Sequence, residues 1–236
     1  MLITCADYYL EIIDTHKRIA RQTIENDVTG LHANSHRFIK DFSHWINILS
    51  DRPEIVLLKA SGREYQHGLI SVINGQYRQA FNSLRFFIEH SLAAIYFSAN
   101  ELQLRLWLKG QQDIFWSNIV DPDQGIFSKR FVGAFCESLT EYASGYNTLT
   151  KGLYRECSEY THGNYITQDK LPINLEYNEQ IFNEWHDKAE TAQLIIIFAL
   201  CFRYITSINK DSKCNIEASV MDRFEHIAVI QALLEM

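Results

Sequence analysis

Apolar positions along this chain recur at intervals of three and four, the spacing of one face of a helix. Between Ile3 and Asn26 the pattern runs through Tyr9, Ile12, Ile13, Ile19 and Ile24, and between Leu31 and Leu49 through Phe38, Phe42, Trp45 and Leu49. Two amphipathic helices joined near Gly30 are expected. Asp51-Arg52-Pro53-Glu54 reads as a helix start, with Asp51 as the cap and Pro53 in the first turn, and the helix it opens runs to about Asn74-Gly75. The strongest signal lies between Gln76 and Asn100. There Tyr77, Phe81, Leu84, Ile88, Leu92 and Ile95 form one stripe, flanked by Arg78, Asn82, Arg85, Glu89 and Tyr96.

Further on, Glu101 to Phe135 carries a shorter aromatic pattern (Trp107, Phe115, Trp116, Phe127, Phe131) around a turn at Asp121-Pro122-Asp123-Gln124-Gly125, and predicts two or three short helices. Ser138 to His162 is one helix, or two broken near Gly145 or Gly152. Tyr165 to Tyr177, with Pro172 and alternating Leu171, Ile173 and Leu175, is an extended loop or one arm of a strand pair. Glu179 to Asn209 and Ile216 to Glu235 supply a long core helix and a terminal helix. The expectation is an all-α protein of one domain over residues 1–236. It comprises an N-terminal hairpin (1–50), a core (54–164) and C-terminal helices (179–236), with no internal repeat or heptad array.

Three prolines and ten glycines among 236 residues disfavour a turn-rich β architecture. A net charge of −7 argues against binding nucleic acid through a broad basic surface, though a small local site is compatible with it. The five cysteines (Cys5, Cys136, Cys157, Cys201, Cys214) stand singly, so neither a zinc ribbon nor a disulfide framework is suggested, and they read as reduced thiols in a cytoplasmic protein. Met1 to Asp7 lacks the basic start and apolar run of a signal peptide. The longest apolar run, Leu194 to Phe202, is too short to span a bilayer, so no membrane association is expected.

The chemical lead is Gly152 to Tyr165. Arg155 and His162 are seven residues apart, which turns the side chain through nearly two full turns and leaves both on one face. Ser158 and Glu159 fall between them, while Leu153, Cys157 and Tyr160 are suited to packing. Gly163 with Asn164 is a helix stop. A forked guanidinium neutralises charge on a phosphate, and an imidazole moves protons near neutral pH. The plainer reading is a last-turn histidine that suits the helix dipole and an Arg155 to Glu159 pair at i, i+4. On the Gln76 to Asn100 helix, Arg85 and Glu89 either form a solvated pair or face Arg155 and His162.

Arg155, six residues and His162 near the end of a helix resemble the motif of the HEPN superfamily (higher eukaryotes and prokaryotes nucleotide-binding domains). Ser158-Glu159-Tyr160-Thr161-His162-Gly163 is similar to a stretch of its bacterial members, and Arg85-Phe86-Phe87-Ile88-Glu89 to an Arg-x3-Glu on an earlier helix. The resemblance implies a HEPN-like helical bundle with flanking helices. It also implies a metal-independent, cofactor-free endoribonuclease of the toxin or antiviral defence type, acting on RNA as a homodimer, with a partner protein or antitoxin beside it. His162 would shuttle the proton as the 2′-hydroxyl attacks its phosphate and Arg155 would hold the phosphate oxygens. Arg85, Glu89, Ser158, Glu159, Tyr160 and Asn164 would support them. Glu156 departs from the Asn, His or Asp that often follows the arginine, which keeps open a non-catalytic module binding a partner protein or a nucleotide.

Other constellations carry less. Arg85 and His90 also match Arg-x4-His, but in one helix they stand about 140° apart, and His90 reads as solvent-facing. His32 and His36 have the i, i+4 spacing of two metal ligands, with His44 or Asp41 as a third, yet such pairs are commonly surface residues. Phe86, Phe87, Tyr96, Trp107, Phe115 and Trp116 read as core rather than as platforms for bases.

Overall fold

The apolar stripe between Tyr77 and Ile95 becomes α4 (Tyr77–Phe97), and all six of its members are at most 2% exposed. In this computed structural model, which describes residues 4–235, α4 lies against α3 (Ile55–Ile73), its partner in a tight helical hairpin. Gly75 closes the hairpin at φ +70°, where a Cβ would stand 2.6 Å from the carbonyl oxygen of Glu176. The turn therefore needs both the left-handed backbone and the missing side chain.

Against this pair runs α10 (Glu179–Tyr204), which also meets α2 (Leu31–Ile48), α7 (Lys129–Phe135) and α8 (Ala143–Thr161). Every residue from Ile195 to Tyr204 is buried, so this half of α10 has no solvent face, as expected for a helix apolar all round. Arg203 lies within that stretch and finds neutral acceptors there. It donates to Ser98 Oγ at 2.6 Å and to the Ser98 carbonyl at 3.1 Å, and stacks on the Phe135 ring at 3.9 Å. One cluster of buried side chains extends from Phe38 to Leu234. The remaining helices are α1 (Cys5–Asn26), α5 (Glu101–Leu108), α6 (Trp116–Ile119), α9 (Tyr165–Lys170), α11 (Lys210–Phe224) and α12 (Ala228–Glu235), with a 3₁₀ turn at Glu137–Tyr142. The fold is all-α, with no strand among the described residues, and no helix of theirs is long and apolar enough to cross a membrane.

Several expectations change. Ile3, where the first helix was expected to begin, lies outside the described residues with Met1 and Leu2; Thr4 caps α1 through a reciprocal pair of bonds with Asp7. Asp51 does not cap α3. The helix starts after Glu54, whose buried carboxylate accepts from Arg52 at 2.5 Å and from the Tyr204 hydroxyl at 2.8 Å. Neither Gly145 nor Gly152 breaks α8, because both face open space and cost only propensity. The change of geometry comes earlier, where the 3₁₀ turn passes into α8. Tyr165 to Tyr177 begins as α9, whose start Asn164 caps by accepting from the Ile166 amide at 3.0 Å. The long core helix stops at Tyr204, and the terminal helix is two, α11 and α12, separated at Glu225 to Ile227.

Candidate functional site

The site is organised by three sides of α8. Leu153, Cys157 and Tyr160 are buried, as their packing role requires. Burial pushes the Cys157 thiol up to about 12, so it is an inert packing group. The Tyr160 ring stacks on Phe81 with centroids 3.8 Å apart, and its hydroxyl donates to Glu184 on α10 at 3.1 Å. Burial and the carboxylates beside it raise its pKa, so the hydroxyl stays protonated. Tyr160 holds α8 to α4 and α10.

A second side faces the polar flank of α4, and here the register is one residue away from the candidate pair. Arg85 donates to the Tyr154 hydroxyl at 2.7 Å and lies 3.6 Å from Glu89. The Thr161 hydroxyl donates to Asn82 at 2.5 Å. Tyr154 and Thr161 are also seven apart, so they share a face, and one residue on, Arg155 and His162 are turned about 100° from it. Arg85 and Glu89 thus support Tyr154, and neither is given to Arg155 or His162. Trp116 completes this corner by stacking on Tyr154, centroids 3.7 Å apart. Burial raises the pKa of Tyr154, partly opposed by Arg85. Ser158 turns back on its own helix and donates to the Tyr154 carbonyl at 2.7 Å.

The third side is open. Arg155 exposes 83% of its side chain, and among the described residues it pairs with Glu159 at 3.6 Å. His162 is exposed at the C-cap of α8, its amide bonded to the Ser158 carbonyl, and Gly163 follows at φ +70° to end the helix as expected. Lys151 is exposed four residues before Arg155 and falls on the same face, a cation that the Arg and His spacing alone did not single out. Asn164 is engaged as the cap of α9, and the Thr167 hydroxyl is within 2.9 Å of both the Glu159 and Asn164 carbonyls, fixing the turn that displays His162.

Glu156 is turned toward α10, where it forms an ion pair with Lys188, which also lies 3.6 Å from Glu184. Burial works against the charge on Lys188, but its bond to Glu156 and the nearby carboxylates outweigh it and hold the pKa above its ordinary value. The acid after the arginine is therefore neutralised.

Other candidates resolve differently. His90 is half-buried, not solvent-facing: its ring stacks on Phe86 at 5.9 Å, and burial lowers its pKa. Asp41 pairs with Arg223 at 3.3 Å and His44 bonds to the Asn215 carbonyl at 2.7 Å. No three His, Cys, Asp or Glu side chains gather as a metal site among the described residues. Phe87 is core, whereas Phe86 and Phe115 remain partly exposed. His186, which the sequence pattern did not mark, is 2% exposed, hydrogen-bonded to Ser35 at 2.7 Å, and held down to about pKa 3 by burial.

Compared with known proteins, the chain matches no family model, no curated protein and no solved structure.

Proposed function

We propose that the open face of α8 is a metal-independent endoribonuclease site of the HEPN type, in which Arg155 binds the scissile phosphate and His162 transfers the proton of the attacking 2′-hydroxyl. The observation that supports this reading most is the exposure of both Arg155 and His162, which the helical period sets on one face, beside a Glu156 whose charge Lys188 takes up. Arg155 presents a fork suited to phosphate oxygens, and Lys151 adds a cation along the same line. The 2′-oxygen attacks phosphorus as its proton passes to the imidazole, and the P–O5′ bond breaks as the 5′-oxygen takes a proton back from the imidazolium, which returns His162 to its neutral form. The products are a 2′,3′-cyclic phosphate and a 5′-hydroxyl. A homodimer, and a role in antiviral defence or as a toxin held by a partner protein, belong to the same proposal.

The test is incubation of the protein with total RNA in EDTA, with the product ends identified and a single 2′-deoxy substitution placed at any cleavage point. Cyclic phosphate ends that vanish with the 2′-deoxy substrate are expected; metal-dependent cleavage, or cleavage indifferent to the 2′-hydroxyl, overturns the mechanism. A second reading, a non-catalytic module binding a partner protein or a nucleotide, is favoured by two observations. Arg155 already leans on Glu159, and the first turn of α9 exposes Tyr165 and Ile166.

A further inference from the structure

α1 has more apolar surface than the body covers. Ile19 and Thr23 are buried, and Thr23 donates to the Ile73 carbonyl at 3.0 Å, which anchors the C-terminal half of the helix against α3. Residues 4–11 are exposed on every side. Such an overhang of about two turns is not stable alone in water, yet it is closed by the Thr4 and Asp7 capping box. Beside the anchored stripe lies a second one, Tyr9, Ile13, Ala20 and Ile24, spaced by four, seven and four. Tyr9, Ile13 and Ile24 are 59%, 49% and 63% exposed.

The charges say what covers it. From Cys5 to Asp14 the helix carries Asp7, Glu11 and Asp14 and no cation; from Lys17 to Asn26 it carries Lys17, Arg18 and Arg21 against one acid, Glu25, and Lys17 pairs with Asp14 of its own helix at 3.0 Å. Two copies in parallel would set like charge on like. Two copies antiparallel, as a two-fold axis across the helix requires, set each acidic half along the other's basic half, and the attraction occurs twice. With Ile13 opposite Ala20, Tyr9 falls opposite Ile24 and Asp14 near Arg21. The overhanging turns of each copy then lie on the anchored half of the other.

We infer that α1 is a self-association surface on which a second copy of this chain docks antiparallel, α1 on α1. This inference does not rest on the chemistry of α8. A neutral vesicle is the rival occupant of an apolar helix face. The test is sedimentation equilibrium over a wide concentration range for the wild type, Ile13→Glu, Asp14→Arg, Arg21→Asp and the Asp14→Arg/Arg21→Asp pair, with circular dichroism to confirm folding and a vesicle co-sedimentation arm. The wild type is expected to dimerise, Ile13→Glu to be a folded monomer, and each charge reversal to weaken the dimer at least threefold with the pair restoring it. A wild type that stays monomeric, a dimer indifferent to Ile13→Glu, charge reversals that do not rescue one another, or vesicle binding that Ile13→Glu abolishes without any dimer would each overturn it.

Discussion

Tyr154→Phe isolates the corner that fixes the orientation of α8. The substitution keeps the ring stacked on Trp116 at 3.7 Å and beneath the Arg85 guanidinium at 5.0 Å, and removes only the hydroxyl. That hydroxyl accepts from Arg85 at 2.7 Å. Arg85 exposes 17% of its side chain, its Nε has no partner among the described residues, and Glu89 at 3.6 Å is its remaining counter-charge. A hydrogen bond to a charged group contributes about 1.5–3 kcal/mol when its loss leaves that charge poorly solvated. For a chain of this size about 2 kcal/mol lowers the melting temperature by about 4–8 °C. Thermal unfolding followed by circular dichroism reads this directly, with Tyr165→Phe as control, since Tyr165 is 79% exposed. Combining Tyr154→Phe with Arg85→Met should cost less than the sum of the two. A Tyr154→Phe melting temperature within about 1 °C of wild type, or strictly additive losses, would refute the coupling.

The remaining predictions concern protons, backbone and charge. His186 is held near pKa 3 by burial, below its ordinary 6.5, so its contribution is complete above pH 6.5 and is lost as pH falls from there toward 3. The slope is up to about 1.4 kcal/mol per pH unit. Urea midpoints at pH 7 and pH 5 should separate for the wild type and converge in His186→Gln; equal slopes in the two proteins would contradict this. Gly75→Ala should lose about 1–3 kcal/mol at its positive φ, whereas Gly152→Ala, facing open space inside α8, should gain about 0.5–1 kcal/mol, both read by denaturant titration. Lys188→Met frees the charge of Glu156 and should slow RNA cleavage about fivefold, the scale of one surface charge interaction, with recovery in Lys188→Met/Glu156→Gln.

Much of this architecture can be read from periodicity, because α4 and α2 put one continuous stripe into the core and their apolar positions say so. Ends were harder. Glycines at 145 and 152 look like breaks in a list of residues, but a helix supported by Leu153, Cys157 and Tyr160 absorbs their cost. In the site, spacing groups Arg155 with His162 and equally groups Tyr154 with Thr161. It cannot say which pair meets α4, since a period fixes relative and not absolute direction. The charged flank of α4 required partners, and the structure supplies them one residue away. His186 belongs to the stripe Phe182, Trp185, His186, Ala189, and a histidine in such company is held neutral by its surroundings. The second apolar stripe of α1 is not legible from the period alone, since Tyr9, Ile12, Ile13, Ile19 and Ile24 read as one amphipathic pattern.

The most direct test of the α8 reading is His162→Ala, assayed for RNA cleavage without metal and for melting temperature in parallel. Because His162 is exposed, its removal should change stability by no more than about 0.5 kcal/mol. Loss of the proton-transferring group should slow cleavage by about 10²–10⁴-fold. Cleavage unchanged in the variant, or none by the folded wild type, would contradict the account.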